Sequence, residues 1–94
     1  MAITRIECGG KDFYFKMTRR ALRAWEKRGE GRSKNKLFGL SAEDEMDLYL
    51  ACLQDGAKLE GEKFKMSVND LFDFDAEHDL ISKIDEATEG DIKK

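Results

Sequence analysis

The 94-residue chain contains no proline, one histidine, one tryptophan and two cysteines. No proline-rich linker, internal repeat or low-complexity tract divides it, and this length suits one small domain with no room for a second core. Cys8 and Cys52 are too few for a disulfide scaffold and lack a C-x-x-C spacing, so neither zinc nor redox chemistry is indicated. Both are expected to pack as small apolar groups in a reducing cytoplasm. The start "MAITRIEC" has no run long enough for a signal-peptide h-region, and "LYLACL" falls far short of a membrane span. The expected location is therefore the cytoplasm.

With a single histidine, a catalytic triad or metal site would need partners placed by spacing around His78, and none is recognisable. The run "DFDAEHD" sets Asp73, Asp75, Glu77 and Asp79 two apart, like the opening of a calcium-binding EF-hand loop. It fails later: His78 stands where that loop needs glycine, and Ile84 where the closing glutamate belongs. "GAKLEGEK" carries the two glycines of a phosphate-cradling P-loop, but Glu62 holds the lysine position and Lys63 the Ser/Thr position. No catalytic residue, metal or cofactor is expected, and the protein is not read as an enzyme.

What the chain has in abundance is charge, unevenly divided. Residues 1–40 carry eleven Lys and Arg against four Asp and Glu, a net +7; residues 41–94 carry six against sixteen, a net −10. Such asymmetry favours contact between the two halves, head-to-tail contact between subunits, or steering of a charged partner. The basic residues concentrate in "TRRALRAWEKRGEGRSKNK", where Arg19, Arg20, Arg23, Lys27, Arg28, Arg32, Lys34 and Lys36 could meet phosphates, with Trp25 or Tyr14 stacking on bases. Against nucleic acid, Trp25 shares a helical side with Leu22, Glu26 and Glu30 interrupt the patch, and no helix-turn-helix or RNA-recognition signature is present.

Ile3–Cys8 and Phe13–Met17 are rich in β-branched and aromatic residues and flank Gly9-Gly10, which predicts a β-hairpin. Whether the loop is two residues or "GGKD", Thr4, Ile6 and Cys8 share a face with Phe13, Phe15 and Met17, and that face is the one to bury. Thr18 caps a first helix with Ala21, Leu22 and Trp25 on one side, stopped by Gly29 and Gly31. Ser41 with Asp44, then Glu43 and Glu45, opens a second helix that is apolar over most of its circumference: Met46, Leu48, Tyr49, Leu50, Cys52, Leu53 and Ala57. Such a helix packs on two sides and belongs at the centre of the fold. Alternating Lys63, Phe64, Lys65 and Met66 suit an extended segment. Ser67 with Asp70 then caps a brief third helix, "VNDLFDF", and Asp75 a last one with Leu80, Ile81, Ile84 and Ala87 on its apolar side. The fold class is α+β, with an N-terminal β-hairpin (1–17) packed on three to four helices (18–89) and a frayed tail (90–94).

This order of elements, "ALRAWEKRG", a variable loop, "SAEDEMDLYLACLQDGAKLEGEKFKMSVNDLFD" and a last amphipathic helix, resembles the tail assembly chaperones of long-tailed bacteriophages. In that family a helix of the form A-L-x-x-(aromatic or Leu)-E precedes an acidic-capped helix that reads much like Asp47–Leu53. The chain departs in its linker, which is longer, charged and without the proline often found there. The resemblance implies a non-enzymatic assembly factor, partnered by the tape-measure protein and the tail-tube protein, self-associating, and acting in the cytoplasm of a bacterial host. It also implies apolar contacts to a client or a neighbouring copy, for which Leu37, Phe38, Leu40, Phe72 and Phe74 are the candidates. The same side chains could equally cap the helical core. The alternative reading is a small nucleic-acid-binding regulator using the basic first helix.

Overall fold

A computed structural model describes residues 3–33 and 39–92, with side chains as far as Thr88. The elements run β1 (Thr4–Cys8), β2 (Lys11–Phe15), α1 (Arg19–Lys27), α2 (Ala42–Leu59), α3 (Val68–His78) and α4 (Leu80–Ile92). This is the α+β arrangement expected, an antiparallel hairpin on a helical bundle.

Gly9 and Gly10 both hold positive φ, 57° and 77°, so the hairpin turns in two residues and Cys8 pairs with Lys11, Ile6 with Phe13 and Thr4 with Phe15. That register buries Ile6, Cys8, Phe13 and Phe15 together. Met17 does not join them: β2 ends at Phe15, the strand alternation lapses, and Met17 is 38% exposed. The open face carries Arg5, whose guanidinium reaches Asp12 (2.9 Å) and Glu7 (3.1 Å).

Each of the first three helices begins with a side-chain cap. Thr18 Oγ1 accepts from the Ala21 amide and Ser41 Oγ from the Asp44 amide. Ser67 and Asp70 form a reciprocal capping box, Asp70 N–H to Ser67 Oγ and Ser67 N–H to Asp70 Oδ2. The third helix is longer than "VNDLFDF" and runs to His78. Asp75 lies within it and caps the next helix from there, its Oδ1 accepting from the Ile81 amide at 2.8 Å. Asp79, at φ 57°, makes the corner, a left-handed conformation that aspartate tolerates better than most residues.

Helix α2 is the hub. Met46, Leu48, Leu50, Ala51, Cys52, Leu53 and Ala57 are buried around most of its circumference, and it packs against β2, α1 and α3. Trp25 of α1, Leu71 of α3, and Leu80 and Ile84 of α4 complete the core without solvent exposure. On α4 the buried set includes Thr88, whose hydroxyl donates to the Ile84 carbonyl, while Ala87 points outward, contrary to expectation. The apolar stripe leans by one position because the helix settles against β1 as well as α3.

Between α2 and β2 the backbones nearly touch. Pairing across the two-residue turn points the amide and carbonyl of Lys11, Phe13 and Phe15 at β1, so those of Asp12, Tyr14 and Lys16 face away. Lys16 N–H donates to the Cys52 carbonyl of α2 (3.3 Å), and the Tyr14 carbonyl abuts Gly56. A Cβ on Gly56 would stand 2.6 Å from the Tyr14 carbonyl carbon and 3.0 Å from the Phe15 amide nitrogen. Glycine at this point of an otherwise buried helix is what lets the strand approach.

Candidate functional site

The basic segment lies against the acidic opening of α2. Arg32, in the loop after α1, has a side chain only 7% exposed and spends four hydrogen bonds inside the protein. Its Nε and Nη2 donate to Asp44 Oδ1 (3.1 and 2.7 Å), and its Nη1 donates to Asp47 Oδ2 (2.7 Å) and to the Trp25 carbonyl (3.0 Å). The guanidinium also lies 5.4 Å from the centre of the Trp25 ring, and Trp25 Nε1 donates to the Asp44 carbonyl at 2.8 Å. Burial works against the charge of Arg32; the bonds to Asp47 and Asp44 outweigh it and hold its pKa above the ordinary value. Arg28 adds a second cation on Asp47 (2.9 Å) and a bond to Gln54 Oε1 (3.2 Å).

A second junction ties the start of α1 to the far half of α2. Asp55 is buried at 6% exposure, with its Oδ2 accepting from the Thr18 hydroxyl and its Oδ1 from Arg20 Nε, both at 2.5 Å. Thr18 therefore caps α1 with its oxygen lone pair and holds α2 with its proton. Burial opposes the charge of Asp55, but the hydrogen bonds from Thr18 and Arg20 outweigh it and keep the carboxyl below the usual aspartate range.

Of the basic patch, Arg20, Arg28 and Arg32 are thus engaged with carboxylates of the same chain, while Arg19, Arg23 and Lys27 are exposed on α1. Contact between the two halves, one of the alternatives open from composition, is made within the chain by these three arginines.

The apolar candidates are spread out. Leu37 and Phe38 lie outside the described residues, as do Lys34 and Lys36. Leu40 and Phe72 are half-buried against the core. Phe74 sits under the hairpin, its ring 5.2 Å from Phe13 and 4.5 Å from His78, with its edge where a Cβ on Gly9 would fall. It anchors the turn from below, and the His78 carbonyl accepts from Cys8 Sγ at 3.5 Å.

Beside this junction β2 and the 62–66 segment leave a groove of about 510 Å³, lined by Lys11, Asp12, Phe13, Lys63, Phe64, Lys65, Met66 and Asp70. Its apolar floor is Phe64, edge-on to Phe13 at 6.3 Å, with half-buried Met66. In sequence the alternation of Lys63, Phe64, Lys65 and Met66 suited an extended segment and did not mark a site. The partners of Arg32 and Asp55 had no local signal either.

Among the described residues no cluster of three or more His, Cys, Asp or Glu side chains is arranged to hold a metal ion, and no helix is long and apolar enough to cross a membrane. Cys52 is fully buried; burial, with Asp55 nearby, pushes its thiol up to about 12. Tyr49 donates to Asp85 Oδ1 at 2.5 Å, joining α2 to α4, and burial together with that carboxylate raises its pKa. No family model, curated protein or solved structure matches the chain.

Proposed function

We propose that this protein is a non-enzymatic tail assembly chaperone of a long-tailed bacteriophage or prophage, which binds the tape-measure protein in the host cytoplasm and helps recruit tail-tube subunits. The observation that carries the reading is the resemblance of "ALRAWEKRG" and the segment from Ser41 to Asp73 to that family, on residues that build the centre of this fold. Ala21 and Trp25 of the first motif and Leu50 and Leu53 of the second are buried together in the core. A small subunit that masks a long helical client needs apolar contacts and a means of associating side by side. Leu40 and Phe72, half-buried at the surface, supply part of that contact together with Leu37 and Phe38.

Nucleic-acid binding is the weaker reading, because three of its six described basic residues already neutralise Asp44, Asp47 and Asp55. The test is co-expression with a helical fragment of a phage tape-measure protein. The expected result is a fragment that moves from the insoluble to the soluble fraction and co-purifies. A fragment that stays insoluble, or salt-dependent retention of duplex DNA by the purified protein in a gel shift, overturns the proposal.

A further inference from the structure

We infer that the groove between β2 and residues 62–66 is a docking site for an extended, acidic segment of another protein. Three features of the groove point to that chemistry. The first is unanswered charge. Lys11, Lys63 and Lys65 line it and are exposed, and none has an ion pair among the described residues; Lys11 makes only a 5.9 Å approach to the Phe74 ring. The two carboxylates in the same lining are already engaged, Asp12 with Arg5 at 2.9 Å and Asp70 with the Ser67 amide at 3.0 Å. With three lysines against these two carboxylates the lining is net positive, and negative charge complements it.

The second is unpaired backbone. Residues 63–66 belong to no helix or strand, and no backbone hydrogen bond to any of them is formed among the described residues. On the opposite wall Asp12 turns its amide and carbonyl away from β1, and α2 covers that edge only further along, at Tyr14 and Lys16. An extended segment laid along 63–66 would satisfy these groups as an added strand does.

The third is the floor. Alternation places Phe64 and Met66, both half-buried, on the side opposite Lys63 and Lys65. A ligand with period-two alternation would put apolar side chains on Phe64 and Met66 and carboxylates on the lysines. Glu62 stands at the end nearest Ala57, which sets the carboxylates of the ligand beyond it, toward Lys63 and Lys65. A nucleic acid would use the same lysines, but the unpaired backbone and the apolar floor of Phe64 and Met66 fit a peptide better than a phosphate chain.

Neither Leu40 nor Phe72 of the chaperone reading lines this groove, so neither test decides the other. The probe is a short fluorescent peptide of alternating glutamate and valine, titrated with the full-length protein at low salt and followed by anisotropy. Binding is expected to fall with added salt, to be absent for the matching lysine–valine peptide, and to weaken by about tenfold or more in a Lys63→Glu, Lys65→Glu variant. If that variant melts early, Lys63→Gln with Lys65→Gln serves instead, with a smaller loss expected. Equal binding by wild type and variant, equal binding of the lysine peptide, or preference for a single-stranded oligonucleotide over the acidic peptide overturns the inference.

Discussion

Replacing Gly56 by alanine sets a local effect against a tertiary one. Within a helix alanine is favoured over glycine by about 0.8–1.0 kcal/mol, so propensity alone predicts a more stable protein. The tertiary setting predicts the reverse, because the new methyl group would lie 2.6 Å from the Tyr14 carbonyl carbon and 3.0 Å from the Phe15 amide, both backbone atoms that no rotamer change can move. Forcing α2 and β2 apart costs roughly 1–3 kcal/mol for overpacking. It also strains the Lys16 to Cys52 backbone bond, worth about 0.5–1.5 kcal/mol. Subtracting the propensity gain leaves a destabilisation of roughly 2 kcal/mol, or about 8–16 °C in Tm for a domain of this size. Thermal and urea unfolding followed by circular dichroism at 222 nm would measure it. An unchanged or raised Tm in Gly56→Ala would refute the close approach of helix and strand.

Arg32→Lys keeps the charge but loses the planar fork that serves Asp44, Asp47 and the Trp25 carbonyl together, and should lower unfolding free energy by about 1–3 kcal/mol in urea. Arg23→Lys, on the exposed face of α1, is the control and should change it by less than about 0.5 kcal/mol. The folded-state pKa of Asp55 is lowered, so its contribution is present above the unfolded aspartate value near about 3.9 and is lost as pH falls through the folded value. Asp55→Asn should therefore cost roughly 1–2 kcal/mol at neutral pH, and the gap to wild type should close on acidification; a gap that stays constant across that range contradicts the ionic role. Cys8 and Cys52, both buried, should resist a thiol reagent at mildly alkaline pH and react together on unfolding, and rapid labelling of Cys52 in the native protein would contradict its burial.

Where the sequence was informative, the controlling interactions were close neighbours along the chain. Gly9-Gly10 with alternating flanks specifies a two-residue hairpin and its buried face, since both residues must take positive φ and register follows from turn length. Thr18, Ser41 and Ser67 were readable as caps because the amide each serves is three residues on. The spacing from Met46 to Ala57 marked α2 as central because a stripe that wide needs covering on more than one side. Asp55 and Gly56 lay in that same helix and signalled nothing, since each is explained by a residue some 35 to 42 positions earlier: Thr18 and Arg20 for the carboxylate, Tyr14 for the missing Cβ. Taken locally, one is a charge on an apolar stripe and the other a helix-weakening glycine. Together they form the seam along which the hairpin and α1 are set against α2. The basic segment follows the same logic. Its arginines look alike by composition, but Arg32 alone stands where the chain leaving α1 turns back over Trp25, within reach of Asp44 and Asp47 one turn apart on α2. Lys63 and Lys65 look equally ordinary, yet neither forms an ion pair among the described residues, while the two carboxylates that line the same groove serve the capping of Ser67 and the pairing of Arg5. For a charged surface, what decides between structure and recognition is therefore which charges remain once the fold has satisfied its own.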